Sequence, residues 1–546
     1  MELPERESMA FDVVVVGAGP AGLSTAIRLK QLAAEKGAEV SVVVVEKGSE
    51  VGAHILSGAV IDPIGLDRLV PDWREDPERP LTTEVARDEF LYLTATRGLR
   101  MPQWPMPRLM SNHGNFIGSL GDVCRYLGRK AEELGVEIYP GFPAAEVLVD
   151  GESRVVGVAT GDLGIGRDGK PKDSFTRGME LRGRYTVFAE GARGNLTKQL
   201  IHRFSLDRGR DHQKYGIGIK ELWQVAPEKH KPGLVQHSMG WPLPNHAGGG
   251  SWLYHFGDNL VSVGFVIHLN YQNPTLSPFD EFQRFKTHPS IRRFLEGGKR
   301  IAYGARAVTE GGYQSVPKLS FPGGALLGCS AGFMNVPRIK GSHNAVKSGI
   351  MAAEAAAAAL AAGRAGDELT DYDEAYKTSW VAKELRAVRN FKPLWSKLGT
   401  IPGIVLGGAD ATLAGLLGGF SFFGTMRHTK SDAEATGSAK DYDPIVYPKP
   451  DGVLSFDKLS SVFLSGNRSR DDGPNHIRVR TRVPREVGRT WEAMCPAGVY
   501  ELRDAGGDMV DVELTPSNCV QCGAITAKGG RLTPPEGGSG PEYTRM

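Results

Sequence analysis

A glycine-rich turn between two valine runs constrains the fold of this 546-residue chain more than any other stretch. The strand-like run from Phe11 leads into Gly17-Ala-Gly19-Pro-Ala-Gly22, a helical pattern follows, and a second valine run ends at Glu46. Short, uncharged runs of β-branched residues are typical of strands buried on both faces of a parallel sheet. This order of elements predicts a dinucleotide-binding site: a strand, a glycine turn, a helix, a second strand and a terminal acid.

Each glycine of this turn has a predicted role. Gly17 permits the tight turn, Gly19 lets the backbone approach a pyrophosphate, and Gly22 leaves no side chain between helix and sheet. The helix presents its unpaired N–H groups to the phosphates, and the Glu46 carboxylate is placed to accept hydrogen bonds from a ribose. The alternative is a purely structural glycine turn. Because the motif begins the chain, FAD is modestly favoured over NAD, and a second flavin contact is required.

Composition narrows the choice of partners. The 65 Lys and Arg residues nearly balance the 63 Asp and Glu residues, so net charge gives no reason to expect a nucleic acid partner. Five cysteines are too few for a secreted disulfide framework, and three of them cluster between positions 495 and 522. The charged N-terminus lacks an apolar segment, so we expect no signal peptide. The length predicts several domains.

The most apolar stretch is residues 401–424. Asp410 is its only ionisable residue, seven of its 24 positions are glycine, and Lys397 and Arg427 are among its basic flanks. A plain transmembrane helix would carry fewer glycines and no central acid. We therefore predict amphipathic or re-entrant contact with one membrane leaflet, with the basic flanks facing lipid headgroups. The alternative is a glycine-rich buried hairpin.

Long motifs are spread over nearly the whole chain. They lie at 17–22, 112–115, 161–172, 188–191, 271–274, 296–306, 333–341, 456–462 and 495–500. Together they resemble the motifs of the electron transfer flavoprotein–ubiquinone oxidoreductase family. A set of this length is far more specific than any one of its members.

The resemblance implies an α/β and α+β multidomain fold. A Rossmann-like FAD-binding domain would carry an inserted antiparallel quinone-binding domain, followed by a C-terminal ferredoxin-like iron–sulfur domain. Strand patterns at 216–221, 251–255 and 260–269 agree with an antiparallel insert. We assign the FAD-binding domain to 1–85, 119–203 and 306–390, a quinone and membrane segment to 86–118, the quinone-binding domain to 204–305, a membrane-contact segment to 391–430, a linker to 431–451 and the iron–sulfur domain to 452–546.

The resemblance also implies an activity. Electrons would pass from reduced electron transfer flavoprotein through FAD and an iron–sulfur cluster to ubiquinone or menaquinone, as in an electron-transferring-flavoprotein dehydrogenase. The protein would be peripheral on a membrane surface, either the cytoplasmic face of a bacterial membrane or the matrix face of the mitochondrial inner membrane. Two alternatives stay open: a FAD-dependent geranylgeranyl reductase, which has no use for a cysteine domain, and an inactive membrane scaffold for the carrier flavoprotein.

Further FAD contacts are expected at two turns and one strand end. Glu190 and Gly191 form a second strand-to-glycine turn that would pass along the FAD. Ser330 stands where this class of flavoprotein usually has aspartate, so a ribityl hydrogen bond there would involve a hydroxyl. Gly341 and Ser342 open a long helix, with Ser342 as the expected N-cap. Its positive end would stabilise negative charge on reduced flavin, and an ordinary capped helix is the alternative.

The segment from Tyr271 to Asn273 resembles the family's quinone site, although Tyr-x-Asn-Pro on its own is a common turn. Two cysteines away from the C-terminal cluster, Cys124 and Cys329, are predicted to be buried packing residues.

The remaining cysteines depart from the family pattern. Cys495, Cys519 and Cys522 fit the cluster positions, but Ile525 stands where the family has a fourth cysteine, and isoleucine cannot coordinate iron. The resemblance implies a [4Fe–4S] cluster, whereas three thiolates favour a [3Fe–4S] cluster. A relic fold and a zinc site are the alternatives.

Overall fold

A computed structural model describes residues 4–102 and 108–546. Residues 103–107 of the predicted quinone and membrane segment lie outside the described residues.

The regular elements of the described residues are numbered along the chain. The strands are β1 Ser8–Val16, β2 Val42–Glu46, β3 Val60–Ile61, β4 Thr83–Glu84, β5 Arg87–Leu93, β6 Gly98–Arg100, β7 Phe116–Ile117, β8 Glu137–Pro140, β9 Ala144–Val149, β10 Val155–Thr160, β11 Leu163–Ile165, β12 Pro171–Thr176, β13 Glu180–Phe188, β14 Tyr215–Gln224, β15 Leu234–Gly240, β16 Gly249–Phe256, β17 Leu260–His268, β18 Lys299–Thr309, β19 Ser320–Phe321, β20 Gly324–Leu326, β21 Ile477–Arg478, β22 Arg482–Pro484, β23 Tyr500–Asp504, β24 Met509–Leu514 and β25 Arg531–Leu532. The helices are α1 Pro20–Glu35, α2 Ile64–Leu69, α3 Leu120–Glu133, α4 Asn195–Arg203, α5 Pro278–Lys286, α6 Pro289–Leu295, α7 Ser342–Ala361, α8 Thr370–Thr378, α9 Trp380–Ala387, α10 Phe391–Leu398, α11 Thr400–Leu416, α12 Lys458–Phe463 and α13 Arg485–Met494.

The two valine runs form neighbouring strands of an eight-stranded sheet. Strands β1 and β2 are parallel, with Val13 opposite Val42, and the strand order through the centre is β19-β20-β13-β1-β2-β8. The valines at 13–16 and 42–45 are all buried, and burying such a side chain stabilises the fold by about 1.5–3 kcal/mol. Helices α1 and α7 pack against each other beside this sheet. The predicted Rossmann-like domain is confirmed.

The insert is a seven-stranded sheet in the order β18-β14-β17-β16-β15-β5-β6. The predicted strands at 216–221 and 251–255 lie within β14 and β16, and β17 covers 260–268 of the strand predicted at 260–269. The pairs are antiparallel except β15 with β5, which are parallel. Because β5 comes from residues 87–93, the quinone and membrane segment contributes a strand to this sheet.

Helices α10 and α11 form a tight hairpin, because glycines replace side chains at their contact. A Cβ on Gly403 would lie 2.5 Å from the Cα of Trp395. On the outside, Val405, Leu416 and Phe422 are 63%, 77% and 78% exposed. This exposed apolar face contradicts the alternative of a buried hairpin. No described helix has both the length and the apolarity needed to cross a bilayer.

The C-terminal domain contains the three-stranded sheet β22-β24-β23 and packs onto the FAD-binding domain. A Cβ on Gly537 would lie 1.7 Å from the carbonyl oxygen of Gly141, so only glycine fits there. The Tyr543 N–H donates to the Ala53 carbonyl at 2.9 Å, and both Tyr543 and Met546 are buried. The two domains therefore interlock.

Candidate functional site

A cavity of about 900 Å³ lies where the FAD-binding domain, the inserted sheet, the helical hairpin and the C-terminal domain meet. Gly19 lines it from the dinucleotide turn, Gly249 from the inserted sheet, Gly408 from the hairpin and Cys522 from the C-terminal domain. Ligand pockets generally have volumes of about 300–1,000 Å³. This cavity therefore has room for an extended ligand, and it touches every domain.

The dinucleotide turn is built as the sequence predicts. Gly17 has φ +104°, which favours glycine, and a Cβ on Gly22 would lie 2.0 Å from the Gly17 carbonyl oxygen. Gly19 instead faces open space, since the nearest atom to an added Cβ is Ile55 Cδ1 at 4.0 Å. Within the described residues, no side chain caps helix α1 at Gly19. Its first N–H groups are thus available to an anion.

Glu46 lies at the end of β2 on the cavity wall. Its carboxylate accepts hydrogen bonds from the N–H groups of Ala18 at 3.0 Å and Gly48 at 2.8 Å. Each carboxylate oxygen has a second acceptor position, so the group still has capacity for a ribose hydroxyl. The arrangement fits the adenosine half of FAD.

Glu190 and Gly191 also line the cavity. The Glu190 carboxylate accepts from the N–H groups of Leu196 at 3.1 Å and Thr197 at 2.6 Å, so it caps the first turn of α4. Gly191 has φ +76°, a conformation that favours glycine. Glu190 therefore orders the second turn, and Gly191 lets the backbone pass along the cavity.

Ser330 and Cys329 differ from the predictions. Of the two, it is Cys329 that lines the cavity, whereas the Ser330 hydroxyl donates to the Gly191 carbonyl at 3.4 Å. Burial raises the pKa of the Cys329 thiol. Cys329 is thus part of the cavity wall rather than a core packing residue, and Ser330 supports the Gly191 turn from behind. Cys124 is fully buried on α3, as predicted.

The start of α7 faces the cavity through Gly341 and Ser342. The N-cap is Gly341, and Ser342 is the first helical residue, so the prediction of Ser342 as N-cap was wrong. A helix without a side-chain cap keeps its first N–H groups free for a ligand. Beside it, the Lys340 ammonium donates to the Asn112 side-chain oxygen, and burial lowers its pKa to about 7. Sequence reasoning did not single out Lys340.

The predicted quinone segment lies elsewhere. Tyr271 is 1% exposed and packs under the Lys528 ammonium, 4.5 Å from its ring centroid, rather than in the cavity wall. The Asn273 side-chain oxygen accepts from the Thr275 N–H at 2.9 Å, which makes a local Asx turn. The structure brings neither Tyr271 nor Asn273 to the cavity.

Other residues form the quinone-domain end of the cavity. Gly249 and Gly250 begin β16 there, close to His268 at the end of β17, and Trp395 and Val405 line it from the hairpin. Val405 both lines the cavity and is 63% exposed, so the cavity reaches the surface on the apolar face of the hairpin. Three consecutive glycines at 248–250, where a strand begins, were the sequence signal for this close approach.

The three clustered cysteines come together at the C-terminal domain. Cys495 and Cys519 are buried and Cys522 is partly buried. Cys495 and Cys519 belong to one buried apolar cluster, and Cys522 packs against it. Burial raises the pKa of Cys522 to about 12, with a further contribution from Cys495. The Val499 N–H donates to Cys495 Sγ at 3.5 Å, as at cluster sulfurs. In the described part of the chain, no group of three His, Cys, Asp or Glu side chains is arranged around a single metal position.

A fourth ligand is missing from this set. Ile525 is 4% exposed in the same apolar cluster. The neighbouring Thr526 hydroxyl donates to the Gly523 carbonyl and accepts from Arg193 Nε, each at 2.7 Å, so it is already engaged. The residues fit a cluster held by three thiolates and do not fit a fully cysteine-ligated cube.

Comparisons with known proteins agree with this arrangement. Residues 215–308 match the ubiquinone-binding domain model of ETF-QO, and residues 452–544 match the 4Fe–4S domain model of electron transfer flavoprotein–ubiquinone oxidoreductase. Residues 15–72 match an NAD(P)-binding Rossmann-like domain.

Two full-length relatives carry the same name. The electron transfer flavoprotein–ubiquinone oxidoreductase of Pseudomonas aeruginosa is 51% identical over 99% of this chain and 100% of its own. The mitochondrial enzyme of that name from Rattus norvegicus is 50% identical over 99% of this chain and 90% of its own.

Solved structures show the fold alone. A geranylgeranyl bacteriochlorophyll reductase-like protein from Thermoplasma acidophilum is 17% identical, with a TM-score of 0.53 over 76% of this chain and all of that one. A flavin-dependent brominase is 18% identical, with a TM-score of 0.50 over 76% of this chain and 94% of its own.

Proposed function

Because the chain belongs to the electron transfer flavoprotein–ubiquinone oxidoreductase family, we propose that it passes electrons from reduced electron transfer flavoprotein to ubiquinone bound in the cavity. The observation that carries this proposal is the continuity of the cavity. It runs from the dinucleotide turn at Gly19 to an apolar surface at Val405. A flavin and a long-tailed quinone would thus share one enclosed space.

FAD supplies the electron-transfer chemistry when it is bound, and the protein positions it. Gly17, Gly19 and Gly22 with the start of α1 would hold the pyrophosphate, and Glu46 the adenosine ribose. The backbone at Gly191 and at Gly341 and Ser342 would border the flavin. The free N–H groups of α7 favour negative charge at that end of the ring.

The iron–sulfur domain would hold a cluster on Cys495, Cys519 and Cys522. Such a cluster supplies one-electron transfer. The chain's contribution is burial of the thiolates in an apolar shell that contains Val520 and Ile525.

We assign membrane contact to the hairpin. Its exposed Val405, Leu416 and Phe422 form an apolar surface, and Lys397 and Arg427 flank it. Such a surface enters the headgroup boundary by burying apolar area, and basic residues add attraction to anionic lipid. Ubiquinone would then pass from the bilayer into the cavity without crossing water. Relatives of this name occur in bacteria and mitochondria, so the surface would face the cytoplasmic side of a bacterial membrane or the matrix side of the mitochondrial one.

The quinone contacts that we propose are Gly249 and Gly250 rather than Tyr271 and Asn273, because only the former pair lines the cavity. The backbone N–H groups of glycines can approach a quinone oxygen closely, since no side chain intervenes.

The alternative function, that of a FAD-dependent geranylgeranyl reductase, is not favoured. The full-length relatives named above are ubiquinone oxidoreductases, and the match at 452–544 is to a 4Fe–4S domain that such a reductase would not need. An inactive scaffold is likewise disfavoured, because the family is one of oxidoreductases.

The test is an assay of the purified protein on lipid vesicles that contain ubiquinone. We expect a flavin absorbance spectrum and quinone reduction that depends on reduced electron transfer flavoprotein. Vesicles with menaquinone in place of ubiquinone measure quinone preference. Flavin-loaded protein that reduces neither quinone, or that reduces prenyl double bonds instead, would overturn the proposal.

A further inference from the structure

Three titratable side chains meet at the quinone-domain end of the cavity. Glu310 follows β18, and its carboxylate accepts from Lys392 Nζ of α10 at 2.7 Å. His268 Nε2 lies 3.7 Å from the other oxygen of that carboxylate. All three side chains are at most 5% exposed, and both Glu310 and His268 line the cavity.

Two glycines make room for this group. A Cβ on Gly216 would lie 2.3 Å from Glu310 Oε1, and a Cβ on Gly248 would lie 2.1 Å from His268 Nδ1. Removing an ion pair from water costs several kcal/mol per ion, so a buried pair is a poor device for stability alone. A buried carboxylate aimed at a substrate cavity instead points to a chemical role.

The proposed reaction creates a need for protons. Reduction of a quinone to a quinol adds two electrons and two protons, one proton to each quinone oxygen. FAD would supply the electrons when bound, but the cavity mouth opens on the apolar face of the hairpin, where a bilayer would exclude water. Protons must therefore come through the protein.

We propose that Glu310 donates protons to the quinone, with Lys392 and His268 as the residues that position its carboxyl group. This inference rests on the proposed function. In each transfer the Glu310 O–H bond breaks as a quinone O–H bond forms, and the carboxylate then regains a proton from solvent. Two such transfers, with two electrons from the flavin, give the quinol.

Further polar groups lie around Glu310. The Glu310 N–H donates to the Lys214 carbonyl at 2.6 Å, and Lys214 Nζ lies 3.2 Å from the Asp432 carboxylate. On the other side, His428 Nε2 lies 3.0 Å from the Gly311 carbonyl.

The His428 backbone N–H donates to Asp211, which also accepts from Arg427 Nε, each at 2.7 Å. The Arg427 side chain is 66% exposed. The charged and titratable groups around Glu310 are thus Lys392, His268, Lys214, Asp432 and His428.

The ionisation of the pair suits this role. Burial raises the pKa of the Glu310 carboxyl, although Lys392 opposes the rise, and burial lowers the pKa of the Lys392 ammonium. The carboxyl group therefore keeps its proton to higher pH than an exposed glutamate does, a shift in the direction that favours proton donation.

The experiment compares two acceptors for holoenzyme carrying Glu310→Gln. Ubiquinone takes up protons, whereas ferricyanide takes only electrons. With reduced electron transfer flavoprotein as donor, we expect ubiquinone reduction to fall by about 100-fold or more, and ferricyanide reduction to stay at the wild-type rate. In the wild type, ubiquinone reduction should decline as pH rises through the Glu310 pKa, and the Gln variant should lack this decline.

Two variants serve as controls. Glu310→Asp keeps a carboxyl group and should restore part of the activity together with a pH dependence. Glu281→Gln removes an equally buried carboxyl group, on α5 and away from the cavity wall, and should keep the wild-type ubiquinone rate.

The outcomes separate the two proposals. Wild-type enzyme that fails to reduce ubiquinone would refute the proposed function itself. Active wild type with an equally active Glu310→Gln variant, or equal losses for both acceptors, would overturn the role of Glu310. If the Glu310→Gln variant lacks flavin absorbance, the Glu310→Asp variant provides the test instead. A pH profile of Glu310→Asp identical to the wild-type profile would reject the proposal.

Discussion

Asn390 Nδ2 donates a hydrogen bond to Asp410 across the hairpin at 3.0 Å, and the Ser421 hydroxyl bonds the other oxygen of the same carboxylate at 2.5 Å. The carboxylate is 4% exposed. The only acid of the 401–424 stretch therefore points inward and fastens α11 to α10. Its pairing leaves the outer face of α11 free of charge, which favours contact with lipid.

The first prediction concerns that face. Replacing Val405, Leu416 and Phe422 by Asp places three charges where a bilayer would be. The variant should therefore no longer bind to lipid vesicles in a flotation assay. It should also lose activity with long-tailed quinones more than with short-tailed ones. Val446, which is 89% exposed outside the hairpin, gives a control, since Val446→Asp should stay bound. Retention of the triple variant on vesicles would contradict the assignment.

The second prediction separates flavin binding from folding. A Cβ at position 19 would lie no closer than 4.0 Å to another protein atom, so the Gly19→Val variant should fold. The valine side chain would nevertheless occupy the space predicted for the pyrophosphate. We expect soluble protein with a wild-type melting temperature measured without flavin and no flavin absorbance. Gly151 also has open space around a Cβ, and Gly151→Val should keep its FAD. Full FAD occupancy in Gly19→Val would refute the site.

The third prediction concerns the cluster. With three thiolates and Ile525 in place of the fourth, one iron of a cube would have no protein ligand. Enzyme purified in air should therefore show the electron paramagnetic resonance signal of a [3Fe–4S] cluster. Ile525→Cys should raise the iron content and replace that signal with the one of a fully ligated cube. Cys124→Ala, which removes a buried thiol from a different hydrophobic core, should leave the iron content unchanged. Four irons that resist oxidation and chelation in the wild type would defeat this view.

The fourth prediction concerns acid stability. Burial alone would raise the pKa of Glu384, but the hydrogen bond and charge of His343, together with Arg338, hold it at about 2 instead of 4.5. A depressed carboxyl pKa stabilises the fold above its unfolded value, and the contribution is lost as pH falls from about 4.5 to about 2. The shift corresponds to about 3 kcal/mol.

The measurement is the free energy of unfolding at neutral pH and at pH values below 4.5. Glu384→Gln should be destabilised at neutral pH, and its difference from wild type should shrink in acid. Glu374→Gln alters only an exposed pair with Lys377 and should differ little from wild type at either pH. A gap for Glu384→Gln that stays constant with pH would show that the charge is not responsible.

How far the sequence predicts the structure depends on the range of the interactions involved. The valine runs, Gly17 to Gly22 and Glu46 are specified by neighbours within 35 residues, so their arrangement was predictable. The N-cap of α7 is Gly341 and not Ser342. Local sequence patterns do not resolve a difference of one residue at a helix boundary. These are local errors with small consequences.

Long-range contacts were the real limit. Glu310 and Lys392 are 82 residues apart. The local sequence around either residue does not predict that they pair beside a cavity. Tyr271 resembles a quinone-site residue in sequence, yet the packing of Lys528 over its ring places it away from the cavity. The family resemblance indicated the kinds of domain, whereas the side chains that line the cavity could be found only from the tertiary structure.

The interlock between the C-terminal domain and the FAD-binding domain also bears on how the protein is made. Tyr543 bonds to Ala53, a residue synthesised about 490 positions earlier. At a translation rate of about 5–20 residues per second, roughly half a minute to more than a minute passes between the synthesis of Ala53 and that of Tyr543. During that interval the nascent FAD-binding domain exposes the surface that residues 537–546 will cover. The emerging chain therefore spends a long interval with this surface uncovered by its own C-terminal domain.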